Sequence, residues 1–70
     1  GKNKARAAVN LALYYEINGN LEKALEVLQS AKFIYEDSKI LLESNPEYEL
    51  IQTYFNVIQA RIEDEEKLLK

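Results

Sequence analysis

The sequence predicts an all-α fold, an antiparallel three-helix bundle, on three observations. Apolar residues recur at spacings of three and four rather than two, which is the helical period. Two breaks, Asn18-Gly19-Asn20 and Ser44-Asn45-Pro46-Glu47, divide the chain. Two glycines and one proline leave little turn-forming material, so the elements must be few and long. Helices are expected at about residues 4–18, 21–44 and 46–69, within one domain of residues 1–70.

In the first helix, Ala5, Ala8, Val9, Ala12 and Tyr15 or Glu16 form the stripe, and its alanines let a neighbour approach closely. Gly19 suits the left-handed position that ends a helix, and Asn20 can cap the next one. The second helix carries two stripes. One runs through Ala24, Leu28, Ala31, Tyr35 and Leu42, the other through Val27, Ile34 and Leu41. Two stripes predict a central helix touching two neighbours. Asn45 is positioned as the next N-cap, with Pro46 at the first helical position and Glu47 and Glu49 at the positive end of the helix dipole. Ile51, Phe55, Ile58 and Ile62 make the core stripe of the third helix, with Leu69 further along. Short connections then place all three helices antiparallel and adjacent.

Composition narrows the function. The chain has no histidine and no cysteine, which removes the usual acid–base and thiol chemistry. Ser30, Ser38, Ser44 and Thr53 have no partner base, and no glycine-rich phosphate loop occurs. The run Glu63-Asp64-Glu65-Glu66 reads as a solvated face, because a helix does not converge carboxylate oxygens on a cation. The expectation is a non-enzyme with no cofactor and no metal. Lys and Arg total 9 against 12 Asp and Glu, a net charge of −3, which argues against a nucleic-acid partner. The acidic balance either favours a basic partner or simply keeps the chain soluble. No apolar stretch approaches the roughly 20 residues of a membrane span. The absence of cysteine suits a reducing, cytoplasmic setting. A start at Gly1-Lys2, without methionine, fits a piece of a longer protein.

The first two helices carry Ala12-x-x-x-Glu16-x-x-Gly19-x-Leu21-x-x-Ala24, then Leu28 and Ala31. This hairpin resembles the tetratricopeptide repeat. It also resembles the MIT (microtubule-interacting and trafficking) domain, which adds a third helix to such a hairpin. A repeat array would restore its small residues after about 34 positions. That period carries Ala8, Ala12 and Gly19 onto Leu42, Pro46 and Thr53, so the internal repeat is missing. The long middle helix favours the MIT resemblance. So does the third segment, whose Leu50-Ile51-x-x-x-Phe55-x-x-Ile58-x-x-Arg61-x-Glu63 is similar to the final MIT helix of vacuolar-sorting AAA ATPases.

The MIT resemblance implies a cytoplasmic adaptor that binds short C-terminal motifs of ESCRT-III-type proteins. It would recruit an attached effector, such as an AAA ATPase, to membranes only through that partner. An extended motif lies between the first and third helices of the family, and a helical motif between the second and third. Leu50, Tyr54, Val57 and Arg61 form a second stripe on the third helix, and Leu11, Tyr14 and Asn18 lie off the core stripe of the first. These residues either widen the core-facing side or line the first groove. The second groove would involve Glu36, Glu43, Gln59, Ile62 and Glu63, with Asp64 nearby. Gln59 stands where the family often has leucine, which turns the expectation toward the first groove. The isolated chain is expected to be monomeric. The alternatives are a tetratricopeptide-like unit for peptide binding or solenoid packing, and a helical domain that oligomerises through its spare stripes.

Overall fold

Each helix starts or stops where the sequence supplies a group for an otherwise orphaned backbone amide or carbonyl. A computed structural model describes residues 4–37 and 45–69. Helix α1 spans Lys4–Ile17, α2 spans Leu21–Asp37 and α3 spans Pro46–Leu69. The expected continuation of α2 to residue 44, with Leu41 and Leu42, lies outside the described residues.

The α1–α2 turn depends on Gly19, whose φ of 79° lies in the region that other L residues avoid. The Gly19 amide donates to the Glu16 carbonyl at 3.0 Å and the Asn20 amide to the Tyr15 carbonyl at 2.8 Å. This pair of bonds is the Schellman closure of a helix C-terminus. Asn20 Oδ1 then accepts the Lys23 amide at 3.2 Å, so one residue closes α1 and caps α2.

At the second break, Asn45 Oδ1 accepts the amides of Glu47 at 3.0 Å and Tyr48 at 3.1 Å. Pro46 occupies the first helical position, where a missing N–H costs nothing. Asn45→Ala removes both accepted bonds and should cost about 1 kcal/mol of stability. A urea midpoint equal to that of the parent would show that the cap contributes nothing.

The fold is a three-helix bundle in which α2 packs on α1 and on α3, and α1 on α3. Its fully buried residues are Ala5, Val9 and Ala12 of α1, Leu21, Ala24 and Leu28 of α2, and Ile51 and Ile58 of α3. Three of these eight residues are alanines, so much of the fully buried volume falls to Leu28, Ile51, Ile58 and Val9. Phe55, Ile62, Leu25 and Leu13 pack half-buried around them. One expectation needs correcting here. Of the second α2 stripe, Val27 packs against the core but Ile34 is 66% exposed, so that stripe runs out of neighbour. Among the described residues, α3 covers one face of the α1–α2 hairpin and nothing covers the other.

Side chains also tie the helices together. Arg61 of α3 makes an ion pair with Glu16 of α1. Across α2 and α3 the tyrosines and carboxylates are exchanged reciprocally: Tyr35 donates to Glu47, and Tyr48 donates to Glu36 at 2.8 Å. Lys32 Nζ sits 4.5 Å from the centre of the Phe55 ring, a cation–π contact on the same seam.

Candidate functional site: the open face of the α1–α2 hairpin

A groove of about 570 Å³ runs along this open face. Ala7, Ala8 and Leu11 of α1 form one side, and Val27, Ser30, Ala31 and Ile34 of α2 form the other. Lys4, Tyr35 and Glu47 close one end. The alanines keep the groove deep, while Leu11 (45% exposed) and Ile34 raise its walls. A shallower, mostly apolar depression of about 470 Å³ continues past Ser30 and Ile34 to Phe33, Glu26 and Gln29. The apolar surface therefore extends from α1 across α2.

The closed end is held by the tyrosine–carboxylate exchange. The Glu47 carboxylate that accepts the Tyr35 hydroxyl, with burial and the Glu47 charge adding to it, pushes the Tyr35 phenol from 10.0 up to about 12. Tyr48 is raised by its bond to Glu36, by burial and by the Glu36 charge. A folded-state value above the unfolded one means that the Tyr35 bond stabilises the fold fully below pH 10. That contribution fades as the pH climbs through about 12. Both hydroxyls thus stay protonated donors across the neutral range.

The structure places the residues expected in the α1–α3 groove on two different faces. Leu50 and Tyr54 are half-buried against the core, Val57 beside them is half-exposed, and Arg61 pairs with Glu16. This side of α3 does face α1. The α1 residues do not meet it. Leu11 lies in the α1–α2 groove, Tyr14 is exposed with its ring edge-on to Tyr15, and the Asn18 amide is spent on the Tyr14 carbonyl at 2.8 Å. What α1 turns toward α3 is the flank carrying Glu16 and Leu13, and Leu13 lies roughly 200° around the helix from Leu11. The physical reason is the hand of the bundle, which decides which flank of α1 meets α3.

Of the second expected set, Glu36 accepts from Tyr48 and Ile62 packs half-buried on the core. Gln59 and Glu63 are exposed, as is Asp64, and Glu43 lies outside the described residues. The α2–α3 seam is occupied by the Tyr35–Glu47, Tyr48–Glu36 and Lys32–Phe55 contacts. The sequence reading missed the groove floor of Ala7, Ala8, Ser30 and Ala31. The signal was the Val27–Ile34 stripe, which had been assigned to a neighbouring helix. Near the α1–α2 turn, a smaller hollow of about 270 Å³ gathers Glu22, Glu65 and Glu66 around Leu21 and Ile62. Among the described residues no group of carboxylates is arranged to hold a metal ion, and no helix is long and apolar enough to cross a membrane.

Fold and groove together define the class: a helical hairpin buttressed on one face by a third helix, with its opposite face apolar and left uncovered by the described residues. The chain belongs to a family described as a domain of unknown function (DUF6340), whose model matches residues 1–60. That match takes in the whole hairpin and α3 as far as Ala60. No curated protein and no solved structure matches the chain.

Proposed function

We propose that this chain is a non-catalytic protein-interaction module that receives a segment of a partner protein on the open α1–α2 face. Ile34 carries the reading. A large aliphatic side chain on the wall of a groove, 66% exposed to water and outside the core cluster, contributes little there to the fold and about 1–2 kcal/mol more once covered. Ile34→Asp should therefore leave stability within about 0.5 kcal/mol of the parent and weaken binding at least about tenfold. The test is selection from a displayed random-peptide library against the parent chain, followed by measurement of the enriched peptides on both chains. Peptides that bind Ile34→Asp as tightly as the parent would overturn the reading.

A second reading is favoured by one observation, the half-exposed Val57 beside Leu50 and Tyr54 on the side of α3 that faces α1. On this reading the chain is an MIT-type adaptor. It takes the C-terminal motif of an ESCRT-III-type protein along α1 and α3, and brings an attached effector such as an AAA ATPase to membranes from the cytoplasm. NMR titration with ESCRT-III C-terminal peptides separates the two. Shifts centred on Val57 support the adaptor, and shifts centred on Ile34 and Leu11 support the hairpin face.

A further inference from the structure

We infer that the occupant of the α1–α2 face is a single amphipathic helix of a partner protein, about three to four turns long, with an acidic side chain at the Lys4 end. The inference rests on the preceding reading that this face binds a partner. Three observations lead to it.

The first is hydrogen bonding. Along most of its length the groove is lined by alanine and aliphatic side chains, with Ser30 the polar exception, while Lys4, Tyr35 and Glu47 gather at one end. An extended segment lying there would bury peptide N–H and C=O groups without partners, at roughly 1–3 kcal/mol each. A helix satisfies those groups internally and presents only side chains.

The second is size. Helix α1 has 14 residues, a length of roughly 21 Å. Two helices packed side by side offer a face on the order of 20 by 20 Å, roughly 400 Å². A stable complex of two globular subunits needs about 800 Å² from each. A second copy of this chain would have to spread beyond the groove onto the far flank of α2, where Glu22, Glu26 and Asp37 are exposed. A two-fold interface reaching that flank would draw those carboxylates in from both copies. One helix fits the face without reaching them, and the small floor residues let its axis come close.

The third is charge. Lys4 places an ammonium at the closed end, where the Glu47 carboxylate is already engaged by Tyr35. An acidic group on the incoming helix completes that end.

The probe is a stapled 14-residue helical peptide with a leucine stripe at positions i, i+4, i+7 and i+11 and one glutamate in its first turn. A nitroxide label sits beside the glutamate. Methyl NMR on the full chain should show shifts at Leu11, Val27 and Ile34, with broadening confined to Ala7 and Ala8 at the Lys4 end. Lys4→Glu should weaken binding about two- to fivefold, the range of an exposed ion pair, and a peptide carrying lysine in place of the glutamate should restore it. A proline-interrupted peptide of the same composition should not bind. If that peptide binds Ile34 and Leu11 as well as the helix does, the helical occupant is wrong while the binding face stands. Sedimentation showing a dimer broken by Ile34→Asp replaces the helix with a second copy and overturns the inference. No binding of the stapled helix at millimolar concentration also overturns it. Binding unaffected by Ile34→Asp overturns the face itself, and the preceding reading with it.

Discussion

Leu28→Ala should cost about 3 kcal/mol of folding free energy, in the middle of the range for truncating a fully buried leucine. Leu28 is 0% exposed and shares a cluster with Ala5, Ala12 and Ala24. The size of such a loss depends on how far the surroundings collapse into the space left behind. Alanines have no rotamers with which to fill it, so most of the cavity should persist. A chain of 70 residues holds on the order of 4–10 kcal/mol of stability, so this one substitution removes a third or more. Urea denaturation followed by circular dichroism reads the change directly, with Phe33→Ala as a control, because Phe33 is 67% exposed and its loss should barely register. A Leu28→Ala midpoint within about 0.5 kcal/mol of the parent would mean that Leu28 is not the centre of the core.

The parts of the fold that could be read from the sequence are those decided by one or two residues. Gly19 and Asn20 mark the first turn, and Asn45 and Pro46 the second, because a positive φ and a capped amide are local requirements. The core stripes of α1 and α3 were legible for a related reason: a spacing of three and four fixes which residues share a face. What periodicity cannot say is whether that face has a neighbour. Val27 and Ile34 share a stripe, yet only Val27 reaches the core, since among the described residues the hairpin has a third helix on one side alone. Nor does periodicity fix the hand of the bundle. The position of Leu11 off the core stripe was correct, but its flank turned out to face α2 rather than α3. The site was therefore half legible. Of its apolar residues Leu11 stood out as a spare position, whereas Val27 and Ile34 across the groove read as facing a neighbouring helix. Part of the MIT resemblance rested on a middle helix running to residue 44, and residues 38–44 lie outside the described residues.

Ala24→Leu should destabilise the bundle by about 2 kcal/mol, within the range for forcing extra methylenes into a packed core. Ala24 is 0% exposed, and leucine is nearly as good a helix former as alanine, so the cost comes from space rather than from propensity. A side chain that large cannot be held beside Leu28 and the α1 alanines without moving α1 away from α2. In a protein of this size, 2 kcal/mol lowers the melting temperature by on the order of 10 °C. The same displacement reaches the open face, because Ala8 and Leu11 sit on α1 and Ala31 and Ile34 on α2. Spreading the helices separates the groove walls and lowers affinity for an occupant that needs both. Affinity should fall even at temperatures where the variant is fully folded. An unchanged melting temperature would show that the α1–α2 seam has slack beside Ala24. A lowered melting temperature with unchanged affinity would show that the groove does not depend on close packing of the two helices.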